Sequence, residues 1–358
     1  MMNHEEKYMQ LYQRIRKEII EGAWPHGSRL PSKRTLAAEN GISVVTVEHA
    51  FSLLCDEGYA ESRPRSGYYV TYRAGDLYAQ PGAKAAAESS PVFAGEPDPG
   101  DAAPLFPYSV LSRAMRKVLA LQGEKLLIKS PGSGLPELKD AISAYLMRSR
   151  GIRVSREQII IGSGAEYLYG IVVQLLGHDC IYALEDPSYE KIRRVYEMNG
   201  VKTELLAMGN DGILSSALSA SRAAVLHVTP YNSWPSRVTA SASKRAEYIR
   251  WVQAREAYIV EDDYDSEFTL LSKPEDTLFS LEPDHRVLYL NTFSRTIAPS
   301  LRAGYLVLPP DLVPLYEEKM GFISCTVPVF EQYLLAELIE DGDFERHINR
   351  VRRQRRKA

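Results

Sequence analysis

Apolar side chains at Tyr8, Leu11, Ile15 and Ile19 recur at three- and four-residue spacing, which predicts an amphipathic helix over residues 8–22. Gly22, Pro25 and Gly27 end it. Residues 30–41 predict a shorter helix, with Ser32 as its N-cap and Gly41 as its C-cap. Ser43 caps a third helix, whose Val47, Ala50, Phe51 and Leu54 form one apolar stripe that Gly58 stops. Two strand-like runs, 59–63 and 67–72, flank the turn sequence Pro64-Arg-Ser-Gly. Three helices and a two-stranded wing predict a winged helix-turn-helix over residues 1–73. Residues 74–90 are rich in small side chains and lack periodicity, which predicts a linker. Over 91–358, helical periodicity (near 109–121, 135–149, 165–176, 189–198 and 241–255) alternates with short apolar runs (158–161, 180–184, 203–208, 224–228, 258–260 and 287–290). That alternation predicts a three-layer α/β domain on a mostly parallel sheet, with ligands at the carboxyl ends of the strands.

Composition adds limits. The 358 residues are 45% hydrophobic and 25% charged, ordinary for a globular protein with a sizeable core. No apolar run approaches the roughly 20 residues of a membrane helix, and the polar N-terminus lacks a signal-peptide core, so the chain reads as cytoplasmic with no membrane partner. Three scattered cysteines (Cys55, Cys180, Cys325) fit a reducing compartment and have no metal-ligand spacing. The net charge of −3, with nine basic against nine acidic residues in 1–72, makes any DNA site a matter of placement.

Placement does suggest one. The outward face of the third helix carries Val44, Val45, Thr46 and His49 behind the cap Ser43, positions suited to a major groove. Arg29, Lys33 and Arg34 near the second helix, and Arg65 with Gly67 at the wing, suit phosphate contacts.

In the α/β region, chemistry collects after strand-like runs. Ser163, Gly164 and Ala165 form a Gly-rich turn into a helix, an anion cradle by its free N–H groups or simply a packing turn. Glu185-Asp-Pro-Ser-Tyr189 either offers a ring to a planar ligand or is a surface turn. Val260-Glu-Asp-Asp-Tyr-Asp-Ser-Glu-Phe268 packs five acids into seven residues, open to three uses: a divalent-metal site, a solvated loop, or one carboxylate facing a cofactor nitrogen. Asn291-Thr-Phe-Ser-Arg-Thr-Ile-Ala-Pro-Ser-Leu-Arg302 brings Thr292, Ser294 and Arg302 towards a second anion site.

Leu30-Pro-Ser-Lys-Arg-Thr-Leu-Ala, Ser43-x-x-Thr-Val, Leu54-x-x-Glu-Gly-Tyr and Arg63-x-x-Ser-Gly-x-x-Val resemble the GntR-type winged helix. The strand-end motifs, in their order, resemble the fold-type I pyridoxal-phosphate (PLP) transferase-like domain of MocR-type transcriptional regulators. That resemblance covers nearly the whole chain. It implies a homodimer that binds a double-stranded DNA operator and responds to PLP, or to a small phosphate-bearing or amino-acid effector. It further implies that Ser163, Gly164 and Ala165 cradle the phosphate with Thr292, Ser294 and Arg302. Tyr189 would stack on the pyridine ring, Asp262 would face its nitrogen, and Tyr264 would lie near its 3-hydroxyl.

Departures from the family pattern alter the expected chemistry. Arg295 stands at the position of the Schiff-base lysine, and a guanidinium stays charged and is a poor nucleophile. The expectation is therefore no catalytic residue and non-covalent PLP at most. Val44 replaces an arginine, Lys129 a tyrosine that reaches the phosphate across the dimer, and Arg237 a glycine in a turn needing positive φ. Relatives continue for about another hundred residues in a small subdomain, so the resemblance implies a C-terminally truncated domain ending in the basic stretch 344–358. That run reads as a solvated helix end or an added nucleic-acid contact. Two other functional readings stay open: a PLP-dependent aminotransferase-type enzyme, and a decayed regulator with no ligand response.

Overall fold

The computed structural model describes residues 4–64, 66–72, 106–269, 276–281 and 286–356. The chain divides into two compact units, Met1–Ala94 and Gly95–Ala358.

In the first unit, helix α1 (His4–Ile20) buries Leu11, Ile15 and Ile19 of the predicted stripe; Tyr8 is half-buried, and Tyr12 joins the core instead. Helix α2 (Lys33–Asn40) begins where the Ser32 hydroxyl accepts from the Thr35 N–H, and ends at Gly41, whose φ of 60° suits a residue without a Cβ. Ser43 caps α3 (Val44–Asp56) in the same way, and Val47, Ala50, Phe51 and Leu54 fill the centre of this small core. Strands β1 (Ala60–Arg63) and β2 (Gly67–Val70) pair antiparallel, Arg63 opposite Gly67. These elements make a winged helix-turn-helix.

The second unit opens with α4 (Tyr108–Gln122) and α5 (Pro136–Arg150). There follow β3 (Ile159–Gly162), α6 (Ala165–Leu176), β4 (Ile181–Asp186), α7 (Glu190–Met198), β5 (Lys202–Gly209), β6 (Gly212–Ile213), α8 (Ser215–Ala220), β7 (Val225–Val228), α9 (Ala242–Arg255) and β8 (Tyr258–Asp262). Short α10 (Leu278–Leu281), β9 (Val287–Thr292), β10 (Gly304–Val307), α11 (Val313–Met320), α12 (Val329–Glu340) and α13 (Asp343–Arg355) complete it. The sheet order is β3-β10-β9-β8-β7-β4-β5-β6. Strands β9, β8, β7, β4 and β5 run parallel, and β10 lies antiparallel between β9 and β3.

Alternation along the strands builds the layers. Ile159, Ile161, Ile259, Tyr289 and Val307 face one core with α5, α9, α12 and α13; Ile160, Leu184, Val260, Leu288 and Leu306 face the other with α6, α7 and α11. Helices on both faces make the three-layer α/β domain expected from the pattern. Among the described residues no helix is long and apolar enough to cross a membrane.

Phe51 is fully buried in the winged-helix core. Phe51→Ala should cost this unit about 3–5 kcal/mol, the usual loss for emptying a large aromatic site. Differential scanning calorimetry should show one transition moving sharply down while the larger unit's transition stays within a degree or two (about the error expected for separate cores).

Candidate functional site

On the winged helix, Val45 and His49 are exposed along α3, with Ser43 at its start. Thr46 departs from the expected outward face. It is 1% exposed, and its hydroxyl lies 2.8 Å from that of Ser43, so it packs beneath the cap. Arg34 is exposed on α2, whereas Lys33 donates to Glu48 of α3 at 2.5 Å. Arg29 sits beside the wing: it bridges to Tyr69, and a Cβ on Gly67 (φ 114°) would come within 3.2 Å of its Nε. Arg65 lies outside the described residues.

In the second unit, the carboxyl ends of β4, β7, β8 and β9 and the start of α6 surround a cavity of about 120 Å³. Of the residues singled out from sequence, Ala165, Tyr189, Asp262, Tyr264, Thr292, Ser294, Arg295 and Arg302 line it. Gly164, at φ 93°, lets the Arg302 guanidinium lie against the first turn of α6; a Cβ there would sit 2.8 Å from Nη2. Ser163 does not line the cavity, and its backbone N–H donates to Thr326 Oγ1 at 3.1 Å.

The sequence reading missed Glu166, Tyr169, Lys191 and Trp234, which also line the cavity. Helical spacing from Ala165 places Glu166 and Tyr169 on the adjoining turn, and Lys191 follows Tyr189 by two residues, so proximity in sequence was their available signal. Glu166 pairs with two cations that line the cavity: with Arg302 Nη2 through one oxygen, and with Lys191 Nζ at 3.3 Å through the other. The Tyr169 hydroxyl donates to Asp262 Oδ2, and His227 Nε2 lies 3.7 Å from the same oxygen. Burial, then the Asp262 charge, pushes the Tyr169 phenol well above its ordinary range, so it stays a donor.

The acid-rich loop is neither solvated nor gathered on one point. Glu261, Asp262, Asp263, Asp265 and Glu267 are all buried. Glu261 accepts backbone N–H groups of Leu278 and Phe279, both at 2.8 Å. Asp263 takes Arg150 at 2.9 Å and the Tyr289 hydroxyl at 2.6 Å, while Glu267 takes Asn291 at 2.6 Å. Asp265 accepts from Arg295 Nε at 3.0 Å and from Asn232 Nδ2 at 2.5 Å. Among the described residues no His/Cys/Asp/Glu group is placed to hold a metal. Arg295 is thus a buried, neutralised cation in the wall of the cavity, its guanidinium carbon 5.7 Å from the Tyr264 ring centre. The Tyr264 hydroxyl is buried and has no hydrogen-bond partner among the described residues. At the neighbouring turn, Arg237 adopts φ 60° and stacks 4.2 Å over Trp234, so the positive-φ turn is built with an arginine.

A three-layer domain with this sheet order and a pocket of charged and aromatic side chains at its strand ends, joined in one chain to a winged helix, defines a class: regulators built on an aminotransferase scaffold. The description "Bacterial regulatory proteins, gntR family" matches residues 7–70, and "Aminotransferase class I and II" matches residues 95–358. The chain is 32% identical over 356 residues to the uncharacterized HTH-type transcriptional regulator YdeL of Bacillus subtilis, covering 98% of this chain and 77% of that one. It is 30% identical over 369 residues to the probable rhizopine catabolism regulatory protein MocR of Rhizobium meliloti, covering 97% and 74%. The fold is similar to that of an archaeal alanine:glyoxylate aminotransferase, with a TM-score of 0.62 at 23% identity over 71% of this chain; the chain spans 64% of that enzyme's length. The chain belongs to the MocR-type family of HTH-type transcriptional regulators, with a GntR helix-turn-helix domain and an aminotransferase-like domain.

Removing Asp265 takes away the buried carboxylate that meets the Arg295 guanidinium. Asp265→Ala should destabilise the aminotransferase-like unit by about 3–5 kcal/mol in chemical denaturation, and Arg295→Met in the same background should recover part of that loss. A second expectation concerns pH. Burial pushes Glu185 up to about 7, although Ser233 donates to it at 2.6 Å, and burial with the Asp263 charge pushes Glu261 up to about 8, both from an ordinary 4.5. Because the fold favours the protonated forms, their contribution is complete below about 4.5 and is lost as pH rises through 7–8. Thermal melts should therefore fall in midpoint across that range, and Glu185→Gln should flatten the slope.

Proposed function

We propose that this regulator binds a double-stranded operator as a homodimer in the cytoplasm, and that its aminotransferase-like domain senses a small ligand without catalysis. On this reading residues 1–73 bind DNA, 74–90 link, and 91–358 form the sensor. Exposed Ser43, Val45 and His49 would face the major groove, with Arg29, Arg34, Arg65 and the Gly67 wing on phosphates, and Lys33 joining them once released from Glu48.

The observation that carries the non-catalytic reading is Arg295, buried in the pocket wall with its charge met by Asp265 at 3.0 Å. Bound PLP offers an aldehyde that an uncharged amine captures, and a guanidinium supplies none at this position. The rest of the pocket suits the cofactor non-covalently. Arg302 and Lys191 would receive its phosphate, together with Thr292, Ser294 and the first N–H groups of α6. Tyr189 would cover the ring and Asp262 would meet the pyridine nitrogen. The Tyr264 hydroxyl, which has no hydrogen-bond partner among the described residues, would find one in the ring's 3-hydroxyl.

Mobility shifts test this reading. The protein should retard DNA from its own upstream region in preference to random DNA, and added PLP should change that affinity. Borohydride treatment of the PLP-loaded protein followed by peptide mapping should find no trapped adduct in the pocket, while Arg295→Lys should acquire one at residue 295. Loss of preference for the upstream DNA would remove the regulatory reading. A trapped adduct in the pocket of the unaltered chain would remove the non-covalent one.

A further inference from the structure

The phosphate-like end of the pocket carries its own anion. Glu166 stands in the first turn of α6, a helix of 12 residues, and its two carboxylate oxygens are divided between Arg302 and Lys191. Both cations line the cavity, and so does Glu166. The carboxylate also lies at a helix N-terminus, where the macrodipole favours negative charge. These are the attractions that a ligand phosphate would use. No deep burial holds the arrangement: the side chains of Glu166, Lys191 and Arg302 are 38%, 42% and 47% exposed. Ion pairs at such exposure are weak and exchange readily with solvent and salt. This separates Glu166 from Asp265, whose pairing with Arg295 is almost wholly buried, at 4% and 8% exposure.

We propose that Glu166 is an internal competitor for the anion site: it lowers the pocket's affinity for a phosphate ester, and the ligand's phosphate enters by displacing it. The inference rests on the reading of this pocket as a binding site for a PLP-like phosphate ester, and adds the residue that sets the affinity. Displacement leaves Arg302 and Lys191 on the phosphate and frees the Glu166 side chain towards solvent, a rotamer change at the start of α6. A ligand of the same shape without the phosphate does not compete with Glu166, so its binding is indifferent to this residue. The phosphate's contribution, and only that, is set by the exchange.

Titration of the full-length protein with PLP and with pyridoxal, followed by quenching of protein fluorescence (Trp234 lines the pocket), tests this. Glu166→Gln should bind PLP about tenfold more tightly than the unaltered chain, a change of about 1.4 kcal/mol. Pyridoxal affinity should not change, and the gain should shrink as salt is raised. Glu166→Ala should act in the same direction, which separates loss of the charge from any effect of the amide. Circular dichroism melts would verify that both variants fold. Equal PLP affinity in all three proteins, or weaker binding in the variants, would overturn the inference and leave the pocket reading intact. A parallel gain for pyridoxal would also overturn it, since the effect would not then belong to the phosphate. If neither PLP nor inorganic phosphate binds any of the three, the inference and the pocket reading fall together.

Discussion

Five acids buried within seven residues of chain would repel one another and unfold the loop unless each met its own partner. That requirement shapes the centre of the larger unit. Unpaired, a buried carboxylate costs several kcal/mol or gives up its charge. Here backbone N–H groups of α10 meet Glu261, Tyr169 meets Asp262, Arg150 and Tyr289 meet Asp263, Arg295 and Asn232 meet Asp265, and Asn291 meets Glu267. The partners come from α5, α6, α10, β9 and the loops after β7 and β9, so one loop ties together elements distant in sequence. Glu261 also shows the other solution, since burial and Asp263 push its carboxyl up to about 8 and it can stay neutral. The pocket lies where two of these partnerships, Tyr169 with Asp262 and Arg295 with Asp265, reach its wall.

How the chain announces this is uneven. The winged helix was legible because its four-residue stripes and caps are local: Ser32, Gly41 and Ser43 each act on a backbone group within a few residues. The parallel strands were legible as short apolar runs because both faces of the sheet are covered. Helix α12 was not. Gln332 through Leu335 are all buried, together with Leu338 and Ile339, so no polar face remains to reveal a period. Thr46 misled for the opposite reason: a hydroxyl in the first turn of α3 looks solvent-directed, yet it turns inward to Ser43.

The candidate site divides along the same line. Residues within strand-end motifs, such as Asp262, Thr292 and Arg302, were identifiable because a motif fixes its own geometry. The pairing of Asp265 with Arg295 was not, because it spans 30 residues and depends on how the loops after β8 and β9 fold back over the carboxyl ends of the strands. The acid loop could be read three ways from sequence for that reason. Composition tells that charges must be met, and only the fold tells by what.

The two sets of ion pairs that edge the pocket differ in a way that bears on what the pocket can do. Arg295 and Asp265 are buried, so separating them leaves uncompensated charge in a poor solvent for it, at a cost of several kcal/mol. Arg302, Lys191 and Glu166 are about half exposed, and breaking such a pair costs about 0–1 kcal/mol. A ligand anion therefore exchanges with Glu166 far more readily than with Asp265. On the proposed exchange Arg295 remains part of the wall, and the change falls on the start of α6. An affinity set by a weak, solvent-facing competitor can be tuned by a single substitution without disturbing the core. That suits a sensor, whose affinity must match a concentration, better than an enzyme, whose site must hold its geometry through a reaction.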